Sequence, residues 1–313
     1  MQAVSGYNPG MSSPQTPILT RKALLLGITI ALIGAILFST KAIVAKLLYR
    51  HHLDAVTVIA FRMLFSVPFF AIMAWWHMRR GSPLSSKDRW RILYLGFAGY
   101  YLSSMFDFLG LQFITAGLER LILFLTPSFV LLISSKILHK RISKLEWLAL
   151  ATSYGGIVLV FVHDLKQGGT NVVLGAALVL GAAMAYSVYL ILSGELVNRI
   201  GSLRLVSYAM CVSSVCCIGQ FFILRPASLL VQPMPVYGLS LINAVFCTIF
   251  PVIMTMVAVK RIGASTASQA GMIGPVSTLF LGAWLLGEPI TGWQLAGTAL
   301  VLCGIYLLTQ KKL

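Results

Sequence analysis

The sequence predicts an all-α integral membrane protein in which ten transmembrane helices form two inverted five-helix repeats. Three observations support this fold class: an extreme apolar composition, an alternation of positive charge between successive loops, and an internal repeat at constant offset. Of the 313 residues, 58% are hydrophobic and only 10% are charged, and the mean hydropathy is +0.89. Soluble domains carry about 25% charged residues. The composition therefore excludes an ordinary soluble globular protein.

Ten apolar segments are long enough to cross a bilayer, which takes about 20 residues of helix. They cover roughly 24–48, 55–76, 92–114, 116–138, 145–162, 172–192, 205–224, 237–259, 263–286 and 291–310. The connections are too short for a separate soluble domain. Residues 1–20 are rich in Pro, Ser and Gly and are predicted to be a disordered tail. We expect residues 21–165 to form the first five-helix repeat and residues 166–313 the second.

The formal net charge of +16 comes from an unequal distribution of Lys and Arg between the two sets of loops. Seventeen of the 24 basic residues lie before the first span or after an even-numbered span. The alternate loops are assigned Lys46, Arg50, Arg120, Lys166 and Arg225. Because cytoplasmic loops concentrate Lys and Arg, both termini are predicted to be cytoplasmic, in a multi-pass protein of the inner membrane. The excess charge then contacts anionic lipid headgroups, and no nucleic-acid partner is expected.

The two halves align without a gap when the chain is shifted by 148 residues. Pro127 then falls on Pro275, and Ser39 falls on Ser187. Because each copy holds five spans, an odd number, the second copy must be inverted relative to the first. Inverted repeats are the architecture of many secondary transporters, which bind substrate between the halves and expose the site to alternate sides.

Both repeats also carry Gly, Pro and charged residues at characteristic spacings. These residues are Phe61-Arg62, Ile114–Gly117 and Pro127 in the first copy, and Gly263-Ala264, Pro275, Gly287-Glu288, Gly297 and Gly304 in the second. Through them the chain, over about residues 24–310, resembles the EamA-type transporters of the drug/metabolite transporter superfamily. One departure is His139-Lys140, where the family has a Gly-Glu pair. The resemblance implies a ten-helix secondary transporter, often an exporter of amino acids or other small metabolites.

Three charged residues lie inside the predicted spans: Lys41, Arg62 and Asp107. Each is about 10 Å from the outer end of its span, at about 1.5 Å per helical residue. A charge deep in a bilayer costs about 2.5–3.5 kcal/mol on insertion scales and usually marks a functional site or a specific pair. In a structural interpretation, Asp107 pairs with Arg62 and Lys41 extends toward the interface. In a functional one, the net charge of +1 attracts a substrate carboxylate or phosphate, and Asp107 contacts a proton or an amine.

Other candidate substrate-binding residues lie on polar or small-residue faces of the spans. They are Phe38 on span one, Tyr100 on span three, Tyr186 and Tyr189 on span six, and Ser268 on span nine. The span-six tyrosines match Phe38 and Lys41 at the repeat offset. They could stack on a substrate ring or flank an ammonium group. Core packing with satisfied hydroxyl groups is an equally good interpretation.

Pro127, Gly274 and Pro275 are the candidate hinge residues, because proline removes an intrahelical hydrogen bond and bends or breaks a helix. Static kinks are the alternative interpretation.

The sequence contains no Walker A, HExxH or GxSxG motif. We therefore expect no enzyme activity, cofactor or metal site, and transport driven by a gradient or by exchange. The expected partners are a small-molecule substrate, membrane lipids and a coupling proton, and the expected oligomeric state is a monomer. The alternative functions are an exchanger or importer of a small anionic metabolite and a membrane-embedded enzyme.

Overall fold

The computed structural model describes residues 21–138, 142–166 and 171–310. In these ranges every regular element is helical. Among the described residues, nine helices are long and apolar enough to cross a membrane, and a tenth is slightly shorter. They are α1 (Leu24–Arg50), α2 (Ala55–Arg80), α3 (Ser86–Leu111), α4 (Ala116–Lys136), α5 (Lys144–Lys166), α6 (Val172–Ile200), α7 (Ser202–Leu224), α8 (Met234–Ile262), α9 (Gln269–Leu286) and α10 (Gly292–Leu308). The prediction of ten apolar helices is confirmed.

The two halves are related by a pseudo-two-fold axis. Hydrogen bonds at equivalent positions of the two repeats identify this axis. Ser39 Oγ donates to the Gly274 carbonyl at 3.1 Å, and Ser187 Oγ donates to the Thr126 carbonyl at 3.1 Å. Adding 148 to the number of Ser39 gives Ser187, and subtracting 148 from that of Gly274 gives Thr126, so the two bonds join equivalent positions. Each bond joins one repeat to the other, so the inverted repeat is a property of the packing as well as of the sequence.

Helix packing follows the same symmetry. Helix α1 lies against α8 and α9, and its counterpart α6 lies against α3 and α4, while α2 packs on α7 and α5 on α10. Small residues allow α5 and α10 to approach each other closely. A Cβ atom on Gly156 would lie 2.6 Å from the Gly297 carbonyl oxygen, and one on Gly304 would lie 2.6 Å from that of Ala149. Such small-residue contacts are typical of helix packing in membranes.

Within the described residues, three helices contain π-helical segments, and two of these segments lie at equivalent places. Gly96–Leu102 in α3 and Val245–Ile249 in α8 both have π-helical hydrogen bonding. Short π-helical segments are rare and occur frequently at functional sites. The inverted architecture places one of this pair in each repeat, whereas the third segment, Gly282–Leu286 at the end of α9, has no π-helical counterpart in α4.

Helices α4 and α9 are each interrupted near a predicted hinge proline. In α4 a first segment, Ala116–Leu123, is followed by a second that begins at Thr126, so Pro127 lies in its first turn. In α9 a new segment begins at Ile273, so Pro275 also lies in a first turn. Proline is tolerated there because its missing N–H would have no intrahelical partner. The breaks are present in this conformation, and the hinge role remains a prediction.

The second repeat differs from the first before α9. The sequence predicts a break between 259 and 263, but the backbone is helical from Phe250 to Gly271, so α8 and α9 are numbered as separate spans although the helix continues from one to the other. In the first repeat the chain leaves the helix between Leu111 and Ala116, and the acceptor side chains of Thr115 and Glu288 cap the new helix. The equivalent positions in the sequence are Gly263 and Lys140, neither of which has an acceptor side chain. The first break therefore has capping groups that the second lacks.

We call the end of the molecule where α1 begins and α2 ends the terminal end. The end where α1 finishes at Arg50 and α2 begins is the distal end.

Candidate functional site

Five charged side chains from α1, α2, α3 and α4 lie buried close to one another, and we call them the charge cluster. They are Lys41 (4% exposed), Arg62 (6%), Asp107 (4%), Glu119 (0%) and Arg120 (6%). The cluster lies toward the distal end, because Asp107 is four residues before the end of α3 and Glu119 is three residues after the start of α4. With three cations and two carboxylates, its formal charge is +1.

Lys41 is the central group of the cluster. Its ammonium group forms an ion pair and hydrogen bond with Asp107 Oδ2 and a second ion pair, at 3.2 Å, with Glu119 Oε1. One cation from α1 therefore bridges carboxylates from α3 and α4. The structural interpretation, in which Asp107 pairs with Arg62 and Lys41 extends to the interface, is wrong for this conformation. Lys41 is buried because two acceptors lie within its reach.

Arg62 has a different partner. Its Nε donates to Thr248 Oγ1 at 2.8 Å, and that hydroxyl donates to the Asn243 carbonyl at 3.0 Å. Thr248 belongs to the π-helical segment of α8, so this bond links the first repeat to the second. The Arg62 guanidinium also lies over the ring of Phe108, 5.3 Å from its centroid. The contact is a cation–π interaction.

Glu119 and Arg120 are the two site residues that sequence reasoning missed. Arg120 was assigned to a loop, and the structure corrects this, because both residues lie in the helical segment Ala116–Leu123. A signal existed, since the predicted span over 116–138 contains both charges. Their proximity to the apparent start of that span favoured the loop assignment.

The start of α4 is fixed from the second repeat by the Gly287-Glu288 pair. Both carboxylate oxygens of Glu288 lie 3.2 Å from the Ala116 amide, which donates to them, and Oε1 lies 3.1 Å from Lys46 Nζ. A carboxylate is stabilising at a helix N-terminus, where backbone N–H groups are unpaired. Gly287 has φ +71°, in the left-handed region that favours glycine. The pair therefore positions the helix that carries Glu119 and Arg120.

Three predicted site residues form a second group, the tyrosine cluster: Tyr100, Tyr186 and Tyr189. The Tyr100 and Tyr189 hydroxyl groups lie 3.4 Å apart, and the rings of Tyr186 and Tyr189 stack at 5.6 Å between centroids. Tyr100 is seven residues from Asp107 along α3, about 10 Å nearer the terminal end. The structure thus brings the tyrosines together, but at a different level from the charge cluster.

The remaining predicted site residues lie in different places. Phe38 lies beside the charge cluster, with its ring 5.4 Å from Lys41 Nζ and 4.8 Å from the Arg120 guanidinium carbon. Gly274 contacts Arg120 from α9. The side chain of Ser268 and the pair His139-Lys140 lie outside the described part of the chain.

Comparison with known proteins identifies the family. The family model described as EamA-like transporter family matches residues 25–162 and 173–310, which lie inside the two predicted repeats. The chain belongs to the EamA-like transporter family. The resemblance given by the Gly, Pro and charged residues is thereby confirmed.

Similar proteins are known from other organisms. The uncharacterized transporter YcbK of Bacillus subtilis (strain 168) is 30% identical over 299 residues, covering 92% of this chain and 94% of its own. An uncharacterized transporter of Archaeoglobus fulgidus is 27% identical over 234 residues, covering 74% and 82%. A solved crystal structure shares the fold, with a TM-score of 0.63 at 18% identity over 92% of this chain and 98% of that one. The names of the two relatives support a transporter, and the solved structure supports the fold.

Proposed function

We propose that this EamA-family protein is a secondary active transporter that moves a small organic solute by alternating access, with the charge cluster as its substrate and coupling site. The observation that supports this is the burial of five charges between helices of a transporter fold. Buried charges are costly in a bilayer and usually mark substrate or proton pathways. The prolines and Gly274 at the interruptions of α4 and α9 are the proposed hinges.

The proposed substrates are amino acids or related organic solutes, and the proposed direction is export. A zwitterion carries both an ammonium and a carboxylate group, and the cluster contains both signs of charge. The formal charge of +1 supports a second candidate, an exchanger or importer of a small anionic metabolite. The described part of the site suggests no catalytic constellation for the third candidate, a membrane-embedded enzyme.

The proposed coupling proton binds at Lys41, Asp107 and Glu119. One ammonium group faces two carboxylates there, so the trio carries a negative charge when both are ionised. Within the described residues, Asp107 Oδ1 and both Glu119 oxygens have no hydrogen-bond partner. A proton bound to either carboxylate would neutralise the trio and supply a donor. Arg62 and Arg120 are the other charged groups near it.

The proposed topology places the terminal end in the cytoplasm, at the inner membrane. Exposed tryptophans near the end of α2 support an interface there: the Arg79 and Arg80 guanidinium carbons lie 4.3 Å and 4.5 Å from the ring centroids of Trp75 and Trp76. Aromatic and basic residues are enriched where a membrane meets the cytoplasm, and basic residues also attract anionic lipids.

Flux in proteoliposomes tests the proposed function. A panel of amino acids, other carboxylates and neutral solutes is loaded into vesicles of purified protein, with and without a pH gradient. We expect at least one charged solute to move faster than in protein-free vesicles, and faster still with the gradient. Failure of every solute to move, together with formation of a new product from lipid, would favour the enzyme. The panel would be selected by a screen for toxic amino acid analogues whose toxicity is relieved when this protein is overexpressed.

A further inference from the structure

Arg120 is a buried cation that has no polar partner among the described residues. It is 6% exposed, and its Nε atom is enclosed without a hydrogen-bond acceptor. Within 21–138, 142–166 and 171–310, no carboxylate lies within ion-pair distance of its guanidinium group and no acceptor bonds to it. An unpaired charge is costly to bury. A partner from outside the chain would remove that cost.

The other cations of the charge cluster have protein partners. Lys41 is paired with two carboxylates, and Arg62 donates to Thr248. The partner of Arg62 is a neutral hydroxyl, and Arg120 is the cluster cation to which the described residues offer neither a carboxylate at ion-pair distance nor a hydrogen-bond acceptor. From the sequence alone, the cation in excess is Lys41 or Arg62.

The surroundings of Arg120 hold it in one orientation. Its guanidinium carbon lies 4.8 Å from the ring centroid of Phe38 and 5.7 Å from that of Phe124. Backbone approaches it from the second repeat, where a Cβ atom on Gly274 would lie 2.8 Å from Nη2 and 3.2 Å from Nε. Aromatic contacts can hold a guanidinium by its faces and leave its N–H edge for hydrogen bonds. The site thus combines groups from α1, α4 and α9.

Phe38 is the partly exposed neighbour of two buried cations of the charge cluster. Its ring contacts both Lys41 and Arg120, yet the residue is 36% exposed while each cation is at most 6% exposed. A small solute that reaches Phe38 is therefore one aromatic ring away from Arg120. Movement of that ring would open the guanidinium edge.

We infer that Arg120 binds the carboxylate of a small organic monoanion or zwitterion, flanked by Phe38 and Phe124. A guanidinium pairs with a carboxylate through two parallel N–H···O bonds. A single negative charge balances the cluster, whereas a phosphate dianion would leave it negative, so a carboxylate is the better match. That this ligand is the transported solute rests on the proposed function.

Calorimetric binding to the purified full-length chain in detergent tests the inference, with benzoate as the probe and benzamide as its uncharged control. We expect benzoate to bind at least about tenfold more tightly than benzamide, and Arg120→Gln to weaken benzoate binding by about 10- to 100-fold. Arg120→Lys should recover part of the affinity. Gly274→Ala should weaken binding while keeping the charge, because its Cβ would displace the guanidinium. Arg225→Gln, which changes an arginine outside the cluster, should bind like the wild type.

Equal binding of benzoate and benzamide, no benzoate binding, or unchanged binding by a folded Arg120→Gln variant would overturn the inference. Tighter binding of inorganic phosphate than of benzoate would overturn the choice of a monoanion. If Arg120→Gln does not fold, the wild-type protein tests the inference instead. The rate at which phenylglyoxal modifies Arg120 is then measured by mass spectrometry with and without benzoate. Benzoate should slow that modification, and an unchanged rate would contradict the site.

Binding and flux separate this inference from the proposed function. Benzoate binding at Arg120 without movement of any solute would remove the transporter proposal and keep the site. Flux of a solute that Arg120→Gln does not change would keep the transporter proposal and remove the site.

Discussion

The charge cluster and the tyrosine cluster occupy positions related by the internal repeat. Lys41 corresponds to Tyr189, and Phe38 to Tyr186, at an offset of 148 residues. The backbone is similar at both places, with a π-helical segment and an interhelical serine hydrogen bond in each repeat. The side chains are not similar, because one place holds five buried charges and the other holds three aromatic rings.

The contrast shows that symmetric packing does not impose symmetric chemistry. The repeat fixes which helices meet and where two of the three described π-helical segments lie. The buried charges lie toward the distal end, whereas the tyrosine cluster offers ring faces and hydroxyl groups nearer the terminal end. A transporter with this arrangement would bind the charged part of its solute at one level and leave the other level to apolar or aromatic contacts.

The largest expected effect comes from removing the central cation of the charge cluster. Lys41→Met leaves Asp107 and Glu119 as unpaired buried carboxylates, and breaking a buried pair in this way costs about 3–5 kcal/mol. We expect a large loss of thermal stability in detergent, measured as the drop in Tm. The double variant Lys41→Met/Asp107→Asn should recover part of it, because one carboxylate charge is then absent. A Lys41→Met variant as stable as the wild type would contradict the pairing.

Neutralising a carboxylate of the cluster should affect transport more than stability. We expect Asp107→Asn and Glu119→Gln each to reduce the transport rate by about tenfold or more, equivalent to about 1.4 kcal/mol, and to flatten its pH dependence if that carboxylate takes up the coupling proton. Rates measured in proteoliposomes across a pH series check this. Wild-type rates at every pH would make the carboxylates structural.

The matched change in the tyrosine cluster should be mild. Tyr189→Phe removes one hydroxyl from a pair 3.4 Å apart and keeps the ring stacking. A hydrogen bond of that length is weak, so we expect a loss of about 0.5 kcal/mol or less in stability and a transport rate close to that of the wild type. An effect as large as that of Asp107→Asn would place substrate recognition at both levels.

The smallest effect is expected from an ion pair outside both clusters. Asp54 lies between α1 and α2 and accepts hydrogen bonds from Arg225, at 2.9 Å to Nη2, and from Thr57. Burial opposes ionisation of Asp54, but these bonds outweigh it and lower the pKa of its carboxyl group below 3.8. The pair therefore stabilises the fold above the unfolded-state pKa, and this contribution is lost as the pH falls through the lower, folded-state pKa.

Asp54→Asn should reduce stability at neutral pH by less than about 1 kcal/mol, because the pair is partly exposed. The Tm difference between this variant and the wild type, measured from pH 7 down to pH 3, should shrink with the pH. A Tm difference that grows on acidification would mean that folding raises the pKa of Asp54 and does not lower it.

The sequence predicted the fold almost completely because the fold depends on local and periodic signals. Span length, the alternation of Lys and Arg between loops, and the offset of 148 can all be read without knowing any contact. The exception was the junction of α8 and α9, where the helix is continuous from Phe250 to Gly271. That outcome depends on capping groups, and Glu288 caps the corresponding junction of the first repeat from far along the chain.

The sequence by itself determined that charges lie inside the membrane, at about which depth, and that their sum within the spans is +1. Only the tertiary structure decided how they pair. Lys41 bridges Asp107 and Glu119, Arg62 bonds across the repeats to Thr248, and Arg120 has no hydrogen-bond or ion-pair partner in the described part of the chain. The reason is geometric, because an ion pair requires atoms within about 4 Å. That separation depends on the rotation and register of helices that the sequence order does not specify.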